Sequence, residues 1–68
     1  MFFVEEVIVT GTLVEILTHP VLDEVHGREV VTRVIEDIID DKWLVRLIKV
    51  DETGLVVVEE RSSYHEVE

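Results

Sequence analysis

Residues 28–41 read REVVTRVIEDIIDD, and whether they coil or extend decides the fold. Val30-Val31, Val34-Ile35 and Ile38-Ile39 recur at a spacing of four, separated by Thr32-Arg33, Glu36-Asp37 and Asp40-Asp41. On a helix these pairs make one apolar stripe. As a strand they would put Arg33 and Asp37 on the face of Ile35, and Thr32 and Glu36 on the face of Val34, which is a poor sheet. The spacing therefore predicts an amphipathic helix over about 28–41, although Val and Ile weaken its intrinsic propensity. Gly27, just before it, fits a turn or a helix start. Asp40 and Asp41 would fall at the C-terminal end, where the helix dipole disfavours anions. Either the helix ends sooner, or Lys42 compensates, or the site serves something cationic.

Downstream, residues 43–50 (WLVRLIKV) and 55–61 (LVVVEER) flank Asp51-Glu52-Thr53-Gly54. This predicts a β-hairpin with a four-residue loop in which Gly54 takes a positive φ. Upstream, Val4 to Thr18 is β-branched and apolar with imperfect alternation, and reads as one long strand. Gly11 at its middle is expected to mark a bulge or bend, a hairpin at Thr10-Gly11 being the alternative, because Asn-Gly or Asp-Gly is preferred for that turn. Pro20 breaks the strand at Thr18-His19. The result is a small α+β domain. The rival is a five-stranded all-β barrel of the oligonucleotide/oligosaccharide-binding kind, with a second hairpin turned at His26-Gly27 and residues 35–41 as a short helical connector.

Glu5, Glu6 and Glu15 upstream and Glu59 and Glu60 downstream would repel one another across a ladder, whereas Arg46 and Lys49 suit both. Residues 43–50 are therefore expected at the centre of the sheet. Both hairpin strands are apolar on each face, and one helix covers only one face, so something else must cover the other. A second copy of the chain is the expected cover, giving a homodimer or larger homo-oligomer. The interface is expected on the sheet at Trp43, Val45, Leu47, Val56 and Val58, with Trp43 as core or interface anchor.

The whole chain has 68 residues, 16 acids against 6 bases and a net charge of −10, with no segment that divides it, so 1–68 is read as one small acidic domain. Residues 62–68 look like a loose tail. So few bases, none before Arg28, argue against direct nucleic-acid binding and against an anionic membrane surface. No apolar run is long enough for a helical span, and residues 1–9 lack the basic start of a signal peptide; a cytoplasmic location is expected. The absence of Cys removes disulfides and thiolate chemistry. Asn and Gln are absent too, and 26 residues are β-branched, a composition that leans toward a heat-adapted source.

Chemistry-bearing patterns are sparse. His19, Asp23 and His26 would share one face of a helix and suit a transition metal, but Pro20 and Gly27 bracket them and no fourth ligand is marked. Glu36, Asp37, Asp40, Asp41, Asp51 and Glu52 do not follow a calcium-loop spacing and read as solvated carboxylates. Ser62 or Ser63 beside Tyr64-His65 is sequence adjacency and not a triad. No catalytic residue and no cofactor are expected. The reading is a non-enzymatic protein–protein interaction module that self-associates through its sheet and offers an acidic surface to a larger basic partner. The alternatives are an acidic inhibitor or antitoxin-like protein that imitates nucleic acid, and a weak His/carboxylate metal binder. A mimic needs carboxylates in an extended row; solubility needs only dispersion.

Overall fold

The computed structural model describes residues 1–38 and 42–63. Five elements follow in chain order: strands β1 (Phe2–Thr10) and β2 (Leu13–Val21), helix α1 (Glu24–Asp37), and strands β3 (Lys42–Asp51) and β4 (Gly54–Ser62). They form a single antiparallel sheet of order β2-β1-β3-β4. β2 and β3 thus run parallel with β1 between them, joined by α1. The architecture is α+β with a C-terminal hairpin. The sheet is open, and the segment that the barrel reading turns into a second hairpin is largely helical.

The helix is set by its cap as much as by its stripe. Asp23 is extended (φ −158°, ψ −177°), and its carboxylate accepts the His26 backbone N–H at 2.9 Å. Glu24 adds a negative charge in the first turn, where the dipole favours it. The helix therefore starts four residues before the expected Arg28 and takes in Gly27. It ends at Asp37, and Ile38 is already extended with its N–H bonded to Ile35 O at 3.2 Å. Of the three ways to accommodate acids at its end, an earlier stop is the one observed; Asp40 and Asp41 lie outside the described residues.

The N-terminal stretch is two strands and not one. Thr10 pairs with Leu13, and Gly11 at φ 63° closes the turn with Thr12. A strand from Val4 to Thr18 would reach about 50 Å at roughly 3.3 Å per residue. The molecule measures only 36 × 26 × 22 Å, so folding back lets the two halves pair. The left-handed conformation that glycine adopts freely makes this possible at Gly11.

β3 does lie inside the sheet, with Arg46 opposite Glu5 on β1 and Glu60 on β4. Its hairpin with β4 is tighter than expected: Asp51 pairs with Gly54 (φ 114°), leaving Glu52 and Thr53 as the loop. The Asp51 carboxylate accepts from Thr53 N–H at 2.9 Å and Thr53 Oγ1–H at 2.6 Å. A bulge lies between Leu47 and Ile48, where Val58 is the extra residue. The hairpin outlasts residue 61: Ser63 N–H donates to Trp43 O, and Trp43 N–H to Ser63 Oγ, both at 3.0 Å. Of the expected loose tail, Ser62 thus belongs to β4 and Ser63 is bonded to β3, and residues 64–68 lie outside the described residues.

Val4, Val31, Val45 and Leu47 are fully buried between α1 and the middle strands. Phe2, Val30, Val34, Ile35, Trp43 and Val58 pack around them. On the opposite face Ile48 alone is buried among the described residues. Among the described residues no helix is long and apolar enough to cross a membrane.

Candidate interaction surface

Alternation along the strands places Phe2, Val4, Glu6 and Ile8 on the side of α1, and Phe3, Glu5, Val7 and Val9 on the open side. Register carries this across the sheet: Leu44, Arg46, Ile48 and Val50 of β3 share the open face with Val14, Ile16 and Thr18 of β2. A charged belt crosses that face. Arg46 Nε lies 3.4 Å from Glu5 Oε1 and 3.6 Å from Glu60 Oε2. Nε is enclosed and has no well-directed hydrogen bond, so charge alone balances it. Apolar side chains flank the belt on both sides, and beside it Val7, Val9, Lys42, Trp43, Leu44 and Ser62 line a shallow hollow of about 330 Å³.

β2 is the most exposed apolar element. Leu13, Val14, Ile16 and Leu17 are 64, 55, 61 and 46% exposed, on both faces of an edge strand. Natural edges are usually blunted by charges, bulges or short length. β2 has nine residues and one carboxylate, Glu15. Its Pro20 is of the kind an edge strand tolerates. The other edge, β4, carries the bulge together with Glu59, Glu60 and Arg61.

The residues singled out from sequence fall in three places. Val45 and Leu47 are taken into the molecule's own core beneath α1, which removes them from any surface; Trp43 and Val58 pack half-buried against that core. Val56, 43% exposed at the hairpin tip, is the accessible member of the set. The reason is parity: residues 43, 45 and 47 project toward the helix, and their even-numbered neighbours toward the open side. Leu13, Val14, Ile16 and Leu17 were missed because Gly11 was read as a bend, which hid that these residues form an edge strand of their own.

The three metal candidates are not brought together. His19 lies on β2, and its Nε2–H donates to Glu6 Oε1 at 2.9 Å, Glu6 being only 8% exposed. His26 Nδ1 instead meets Asp23 Oδ1 at 2.8 Å on the surface. Hydrogen bonding from the His26 backbone, and then from its ring, holds the Asp23 carboxyl below its usual range, while the same ring contact raises His26. Among the described residues no group of three His, Asp or Glu is placed to hold a metal ion. Glu36 and Asp37 lie exposed at the end of α1, and Asp51 and Glu52 at the hairpin tip. Tyr64 and His65 lie outside the described residues.

Among the described residues four carboxylates, Glu5, Glu24, Glu59 and Glu60, are engaged with arginines. Arg28 bridges Glu24 Oε2 and Glu59 Oε1, each at 2.6 Å, and raises the guanidinium's hold on its proton through the Glu24 bond first. Arg61 lies 3.7 Å from Glu59. Compared with family models, with curated proteins and with solved structures, the chain has no significant match.

Proposed function

We propose that this chain is a non-enzymatic interaction module that associates with copies of itself through its β-sheet. The observation that carries the reading is β2, an edge strand with apolar side chains exposed on both faces. Covering such surface is favourable by about 25 cal/mol per Å². An interface of ordinary size, about 800 Å² per partner, would take about a sixth of the 5033 Å² that the molecule exposes. The net charge of −10 opposes contact between copies, so contact is cheapest where acids are scarce, and β2 is such a place.

The acidic exterior is left for a larger basic partner. A nucleic-acid mimic is less well supported, because Glu5, Glu24, Glu59 and Glu60 are drawn to Arg46, Arg28 and Arg61 instead of standing in a free row. The cytoplasm is the location we assign as part of this proposal. Light scattering on a sizing column at two protein concentrations tests the reading. A dimer or larger oligomer is expected; a monomer at every concentration overturns it.

A further inference from the structure

We infer that two copies pair antiparallel along β2, with Leu17 of one opposite Leu17 of the other, joining two four-stranded sheets into one of eight strands. The inference rests on the self-association reading and adds its geometry.

The direction of the backbone groups comes first. Met1 and Val50 exchange both bonds, N–H of Val50 to O of Met1 at 2.7 Å and N–H of Met1 to O of Val50 at 3.3 Å. In an antiparallel ladder bonded pairs alternate, so the odd-numbered residues of β1 bond toward β3 and the even-numbered ones toward β2. Their partners on β2, which are Leu13, Glu15, Leu17, His19 and Val21, spend their backbone groups inward. Val14, Ile16, Thr18 and Pro20 turn theirs to the free edge. Pro20, with no N–H to offer, stands at one of these outward positions.

A two-fold pairing must set outward residues against outward residues. Centring on Leu17 does so: Ile16 faces Thr18, and Val14 can donate to the Pro20 carbonyl. It also pairs the whole of the nine-residue strand, because Leu17 is its midpoint. Other centres leave an end unpaired. Centring on Glu15 would oppose two carboxylates, a destabilising pair. Centring on Leu17 sets the only carboxylate of β2, Glu15, opposite the only imidazole, His19, and does so twice by symmetry. His19 keeps its Nε2–H on Glu6, and its ring stands opposite Glu15 of the second copy where another carboxylate would repel it. Leu13 meets Val21, and Leu22 and Val25, 83 and 68% exposed, lie just beyond that end. Each exposed apolar residue of β2 thereby gains a neighbour.

The chain has no cysteine, so a single one reports its own position. Residues facing each other at a non-bonded antiparallel site bring their Cα atoms to about 4.5 Å, within disulfide reach. Leu17→Cys, treated with diamide, is expected to give a covalent dimer at least tenfold faster than Val7→Cys on the open face. A dimeric Leu17→Cys protein that cross-links no faster than Val7→Cys overturns the edge geometry and leaves self-association standing; a monomeric wild type overturns both. Leu17→Lys is expected to weaken the dimer at least tenfold by facing its own copy across the two-fold with a like charge. The comparison is Glu36→Gln, which makes the same change of net charge on α1. Equal dissociation constants for these two variants also overturn the register.

Discussion

Gly27 is the fourth residue of α1 and is buried, and a Cβ there would press on Leu47, with Cδ2 at 3.1 Å, Cγ at 3.3 Å and Cδ1 closer still. The glycine lets the helix settle on β3. Alanine would gain about 1 kcal/mol of helix propensity. Leu47 is fully buried and has no solvent to swing into, so overpacking of about 1–3 kcal/mol opposes that gain. Gly27→Ala is expected to lower the melting temperature by several degrees in a thermal scan; a raised melting temperature would show that Leu47 has room. The sequence offered only the ordinary meaning of a glycine beside a helix. The close approach depends on Leu47, twenty positions away.

At the scale of elements, the cap of α1 gives a pH signature. Asp23 is held below the usual carboxylate range by the His26 backbone bond first, so its contribution is present above that range and is lost as pH falls through the lowered value. His26 is raised, chiefly by its side-chain bond to Asp23; its contribution is full below the ordinary imidazole range and is lost as pH rises through the raised value. The difference in melting temperature between wild type and Asp23→Ala should therefore be largest in mild acid, between those two ranges. It should shrink toward neutral pH without vanishing, because the backbone bond persists, and disappear in strong acid. A pH-independent difference would mean that the ring contact adds nothing. The stripe of α1 was legible from the spacing of Val30-Val31, Val34-Ile35 and Ile38, but its first turn, Glu24 to Gly27, was not. Val25 points to solvent and leaves no apolar partner in the pattern, and the capping role of Asp23 competes with its reading as a metal ligand.

For the whole molecule, charge sets the dominant long-range effect. With 16 acids and 6 bases on a body whose Cα radius of gyration is 12.4 Å, repulsion outweighs the arginine pairs whenever screening is weak. The Debye length is about 30 Å at 0.01 M salt and about 8 Å at 0.15 M, so the first reaches across most of the molecule and the second does not. The melting temperature is expected to rise as sodium chloride goes from 0.01 to 0.15 M. A fall would mean that the Arg28 and Arg46 bridges contribute more than the surplus of carboxylates costs.

The sequence by itself determined the α+β class, the central place of Arg46 between two acidic strands, the positive φ of Gly54 and the surplus of apolar side chains over what one helix can cover. These are properties of periodicity, charge and turn chemistry, which act between near neighbours or across adjacent strands. Tertiary structure alone decided that Gly11 turns the chain back, because a strand of that length has no partner in so small a body. It also decided which face α1 takes. That choice buried Val45 and Leu47, enclosed Glu6 with His19, and left Val14 and Ile16 bare on the open face, while Leu13 and Leu17 stay exposed at the edge of the covered one. Which apolar residue is core and which is surface depends on the face a helix comes to rest on, and that follows from packing between residues far apart in the chain.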